Sequence, residues 1–311
     1  MIDALTIGIR FALYANLMLL FGLPLFGLYA LKGVERLDGN VLPLRAFAIW
    51  LALLAIGLSV LSIIVMTASM AGVSLFETDR ASVAMMIFET PMGHAWQARI
   101  AALLCALCLS LAWGGRDSTS WLFLISLGAA IALASLAWTG HGAASEGVVG
   151  TRQLIADIVH LLASGAWIGA LAALAVMLFR SFPEMTDGHL TIVHRALEGF
   201  SFVGTVIVAL IVVSGLVNSY MLVGPAHIVT LPSTPYGQLL LAKLTLFGVM
   251  VALAAANRFR HTPAFERAIN LGEASKVIKV LRRSLVVEAS AALLILGLVA
   301  WLGTLEPPMS M

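Results

Sequence analysis

The chain has 311 residues, of which 61% are hydrophobic and only 11% charged. A soluble domain is about one-quarter charged, and no water-facing fold has interior enough to hide this much apolar surface. The net charge of +2 is spread over many connections and forms no continuous basic patch, so no nucleic-acid partner is expected and a bilayer is required as solvent.

About 20 apolar residues cross the hydrocarbon core as a helix. Runs of that size lie near residues 5–31, 43–71, 93–114, 119–140, 153–179, 197–222, 237–257 and 284–303. Their apolarity is continuous, which predicts helices and not alternating barrel strands. The expected fold is therefore all-α: one transmembrane domain over residues 1–311 with about eight spanning helices. The N-terminus, Met1-Ile2-Asp3, lacks the basic region of a cleaved signal, so the first run is expected to persist as a helix. No internal repeat stands out.

Basic residues sort by connection. The odd-numbered ones hold Lys32, Arg36, Arg45, Arg116, Arg180 and Arg195, then seven more between Arg258 and Arg283, together thirteen of the eighteen. The positive-inside rule places these loops in the cytoplasm and both termini on the periplasmic side. Two connections are long enough for structure of their own. Residues 72–92 include a short Met-bearing apolar turn, Val83 to Phe88. Residues 258–283 intersperse basic residues with Val277, Ile278, Val280 and Leu281, the pattern of a helix lying on the inner leaflet.

Ionisable groups at membrane depth are costly and therefore functional candidates. The fifth span contains Asp157 and His160, three residues apart and so on one face, roughly 8–12 Å below the outer boundary. Trp167 lies two turns deeper. His141 closes the fourth span and His94, after Met92, opens the third, all from the same side. Imidazoles suit copper, zinc, iron and nickel, and a thioether adds a preference for Cu(I). The expected metal ligands are His94, His141 and His160, with Asp157 as the acceptor that orients His160. Each histidine alone also fits an interfacial anchor. Cys105 and Cys108 share a face near mid-bilayer. They are candidate soft ligands, as is Met92, against the plainer reading of small core hydrophobes. Lys243 either snorkels outward or pairs with Asp157, and Arg258 with Glu288 reads as a structural pair.

Several stretches carry a family resemblance. TGHGAASEGVVGTRQLIADIVHLLASGAWIGAL, SGLVNSY, TPYGQLLLAKL and the pattern of Asn257, Arg258 and Pro263 resemble the copper-resistance D (CopD or PcoD) membrane proteins over about residues 135–300. The resemblance implies residence in the bacterial inner membrane, copper as the ion handled, uptake from periplasm to cytoplasm, and a separate CopC-type periplasmic copper protein as partner. His141 and His160 match the family's histidine pattern, and Trp167, Tyr236 and Lys243 match other recurring positions. His94 rests on depth alone. A b-type haem electron carrier and a non-transporting copper-delivery scaffold are the alternatives. Without a nucleophile–base constellation or a phosphate-binding loop, an enzyme is not expected.

Overall fold

A computed structural model describes residues 2–115, 118–139, 147–180, 185–306 and 308. The described residues contain helices and turns but no strand. The helices are α1 (Ile2–Ala30), α2 (Leu44–Ala71), α3 (Arg80–Glu89), α4 (Pro91–Ala112) and α5 (Ser118–Ala134), then α6 (Gly147–Leu178), α7 (Asp187–Leu222), α8 (Pro235–Ala256), α9 (Thr262–Asn270) and α10 (Ala274–Leu302). Eight are long and apolar enough to cross a membrane, all except α3 and α9. The expected span count holds. Large apolar side chains such as Leu54, Phe202, Val213 and Leu216 face outward with no polar stripe, as lipid contact requires.

α1 and α6 form the axis of the bundle. Gly165 and Gly169 of α6 are spaced as a small-xxx-small pair, and both pack against Gly22 of α1 or its neighbours. A side chain at Gly22 or Gly169 would meet only backbone, so the two helices touch through their main chains. Around this axis α1 packs on α2, α5 and α10, while α6 packs on α7 and α10. The guanidinium of Arg10 near the start of α1 lies against Gly303 just after α10, so the chain begins and ends at one end of the bundle.

Arginines finish the helices at the opposite end. Arg36 donates to the carbonyls of Gly27, Leu28 and Leu31 at the end of α1. Arg45 donates to Ser110 and Leu111 at the end of α4, and Arg282 to Leu178 and Arg180 at the end of α6. A helix C-terminus carries orphan carbonyls and negative partial charge, which a guanidinium satisfies in both respects. Arg195 and Glu35 pair at the same end.

The connections correct two expectations. Val83 to Phe88 does form part of a helix, α3, whose N-cap Asp79 accepts from the Ser82 N–H; the Ser82 hydroxyl and, after it, this N–H hold the Asp79 carboxyl below its ordinary range. Val277, Ile278, Val280 and Leu281, however, belong to the first turns of the spanning helix α10, with Ile278 and Leu281 in the core. The amphipathic piece is the shorter α9, which continues α8 through a π-helical turn. Core packing outcompetes the leaflet for these side chains.

A repeated element order also emerges. α1, α2, α4 and α5 are matched in sequence order by α6, α7, α8 and α10, with a short helical segment before α4 (α3) and before α8 (the turns at 225–227 and 231–233). α4 and α8 open with the same cap, Thr90-Pro91-Met92-Gly93 and Thr234-Pro235-Tyr236-Gly237, in which the threonine hydroxyl accepts from the glycine N–H. Each glycine lies against a carbonyl of the segment before it, where no Cβ fits. A shared residue pattern this brief is invisible to a search for periodicity. Thr90→Ala and Thr234→Ala should each lower the stability of the detergent-solubilised protein by about 1 kcal/mol, read as a drop in thermal midpoint.

Candidate functional site

The structure brings four of the expected residues together. Asp157, His160, Tyr236 and Lys243 line one cavity of 180 Å³ between α1, α6, α7, α8 and α10. His160 and Lys243 also line a deeper, mostly apolar cavity of 420 Å³ that reaches Trp167. The two cavities share walls and descend from the terminal end of the bundle toward its middle.

His160 Nδ1 lies 3.0 Å from Ser214 Oγ. The Ser214 hydroxyl donates to the carbonyl of Leu210 at 2.6 Å. With its one proton so used, Ser214 accepts from Nδ1–H, and the network assigns the His160 lone pair to Nε2, the usual ligating atom. Asp157 Oδ1 accepts from Asn218 Nδ2 at 2.6 Å, while Asn218 Oδ1 is buried without a partner. Asp157 therefore does not orient His160, as the spacing suggested: Ser214 does. The correction has a simple cause. Residues i and i+3 on one helix point the same way, and each finds its partner on the facing helix, α7.

Lys243 lies near enough to Asp157 for mutual electrostatic influence, but the two make no ion-pair contact. Trp167 is 3% exposed, sits edge-on to Phe247 at 5.9 Å between ring centroids, and leaves its Nε1 buried and unpartnered. Below this aromatic pair a third cavity of 210 Å³, also walled by Trp167, runs to the opposite end and includes Glu288. Glu288, 1% exposed, accepts from Asn257 Nδ2 at 2.5 Å and from Ser284 Oγ at 3.3 Å. The expected Arg258–Glu288 pair is not formed. A π-helical turn over Asn257–His261 turns Asn257 inward, and Arg258 donates to Thr205 instead.

Other expected ligands lie apart. His94 is exposed, with Nε2 3.2 Å from the Phe88 carbonyl, and lines none of these cavities. The inward stripe of α4 runs through Met92, Trp96 and Arg99, and His94 sits two residues, about 200° of helix rotation, from Met92. Met92 lines a separate cavity with Arg99. Cys105 and Cys108 share a face of α4 that is exposed on the outside of the bundle, neither in the core nor near a second soft ligand of the central cavity. His141 lies outside the described residues. Among the described residues no three His, Cys, Asp or Glu side chains converge, and no second imidazole faces His160.

Two soft groups that sequence reasoning passed over, Met18 and Met250, line the 420 Å³ cavity with His160. Methionine inside an apolar run carries no signal of function, since it is a routine gap filler.

Fold and cavities together define a multi-pass membrane protein whose interior is entered from both ends by largely apolar chambers that hold a few polar groups. The profile of the "Copper resistance protein D-like, N-terminal domain" matches residues 1–151, and that of "Copper resistance protein D" matches residues 194–302. The chain belongs to the copper resistance protein D family. It is 48% identical over 307 residues to "Copper resistance protein D" of Pseudomonas syringae pv. tomato, covering 99% of this chain and 98% of that protein. It is 27% identical to "Inner membrane protein YebZ" of Escherichia coli (strain K12) over 83% of this chain and 84% of the relative. A third relative, "Copper transport protein CutJ" of Bacillus subtilis (strain 168), is 30% identical over 54% of this chain and 30% of its own length. The likeness thus extends well before residue 135. No solved structure matches.

Proposed function

We propose that this chain carries copper across the bacterial inner membrane, with the ion entering at Asp157 and His160 and passing Trp167 toward Glu288. The observation that supports this most is the stack of chambers. Polar groups lie at each end, and Trp167, edge-on to Phe247, walls the chambers on both sides between them. The donors fit copper as cargo. His160 Nε2, the Asp157 carboxylate and Asn218 Oδ1 offer nitrogen and oxygen near the entrance, and the Met18 and Met250 thioethers offer soft sulfur deeper in. Lys243 balances the Asp157 charge while the chamber is empty, and an arriving cation takes over that role. Sorting of basic residues puts the entrance on the periplasmic side. A separate CopC-type periplasmic protein is proposed as the copper donor, from family likeness.

The test is copper flux into sealed vesicles containing the purified protein. Time-dependent uptake exceeding that of protein-free vesicles, and lost in Asp157→Asn, is the expected result. Saturable binding with no flux would replace transport by the delivery-scaffold reading, and a Soret band in the purified protein would favour haem. Orientation is checked separately. A cysteine at Glu306, in a Cys105→Ala, Cys108→Ala background, should react with an impermeant maleimide added to intact spheroplasts; labelling only after lysis would invert the assignment.

A further inference from the structure

The N-terminal half contains a counterpart of the proposed copper-entrance chamber that keeps the cations and lacks the carboxylate. A cavity of 140 Å³ lies between α1, α2, α4 and the turn after α5. α1 contributes Arg10 and Tyr14 to it, and α4 contributes Met92 and Arg99. In the C-terminal half α6 contributes Asp157 and His160, and α8 contributes Tyr236 and Lys243. From the shared Thr-Pro-x-Gly cap, Met92 corresponds to Tyr236 and Arg99 to Lys243, each cation standing nine residues after its threonine. The carboxylate has no counterpart among the described residues, where no Asp or Glu lines the N-terminal cavity.

Arg99 is 1% exposed. Its Nε donates to Ser135 Oγ at 2.8 Å, and its Nη2 is buried with no partner. Ser135 sends its own proton to the Ala132 carbonyl, so it adds no negative charge. Arg10 Nε is likewise buried and unpartnered. Among the described residues neither guanidinium makes an ion pair. Buried charges in a membrane are retained when something pairs with them, and a guanidinium presents a planar fork matched to two oxygens of one group.

We propose that this cavity is an anion site in which Arg99 and Arg10 hold a carboxylate or phosphate group. The space accommodates such a group with a few waters but not a whole phospholipid, so a lipid would insert its headgroup alone. The site does not depend on copper transport by the neighbouring chamber, although Arg10 lines both.

Two arms distinguish the sources. In neutral detergent, equilibrium dialysis against inorganic phosphate at fixed ionic strength reads a free anion. In nanodiscs, native mass spectrometry with phosphatidylglycerol against phosphatidylcholine reads a lipid headgroup. One saturable equivalent per chain is expected in one arm, weakened roughly tenfold or more in R99Q and in R10Q. Absence of saturable binding in both arms, or binding unchanged in these variants, overturns the proposal. Should R99Q fail to fold, R10Q decides alone, since Arg10 is only partly buried.

Discussion

His160→Ala should weaken copper binding by the purified protein by roughly 100-fold or more, because it removes the one imidazole among the described residues that lines the proposed entrance chamber. Ser214→Ala is the informative companion. It leaves the ring in place but deletes the acceptor that fixes the Nδ1 proton, and metal sites typically lose 10–100-fold for such a change. Isothermal titration with Cu(I) held in a competing chelator reads both. Equal affinity of wild type and His160→Ala would remove His160 from the path.

The second large effect is structural. Gly169→Leu should prevent assembly of the bundle, or cost about 3 kcal/mol or more if it assembles. Overpacking is normally relieved by a neighbouring side chain that shifts. At Gly169 the facing atoms are the backbone of Gly22, which cannot move without separating α1 from α6. Because α1 and α6 head the two halves, the damage should spread to both chambers. A monodisperse elution profile and unchanged thermal midpoint for Gly169→Leu would contradict the close main-chain contact. Gly57→Leu, at a position with nothing within 4 Å, is the control expected to behave as wild type.

The span count was legible because continuous apolar runs have one solution in lipid. Depth and spacing put Asp157 and His160 on one face and offered Lys243 as one possible neighbour of Asp157; the three line one chamber. What composition could not supply was rotation about each helix axis. His94 and Met92 share a depth, yet they point to different surroundings because α4 turns its Met92–Trp96–Arg99 stripe inward. The same ignorance hid Ser214 as the partner of His160 and left Arg258 wrongly facing Glu288. A π turn adds one residue to a single coil, and nothing in Asn257-Arg258-Phe259-Arg260-His261 announces it. The repeated order of helices is illegible in the sequence for a related reason. Selection on lipid-facing positions asks only for apolarity, so two halves can drift apart in sequence while keeping their caps and buried cations.

Arg36, Arg45 and Arg282 each close the end of a helix, and in the orientation proposed from the sorting of basic residues these same side chains would face the cytoplasm during insertion. Membrane address and mechanical finish are thereby written into one set of guanidiniums. A lineage that exchanged them for neutral residues to invert its topology would simultaneously fray three helix termini. Inversion by gradual substitution is penalised at every step, which locks the orientation of this architecture more firmly than charge bias alone could.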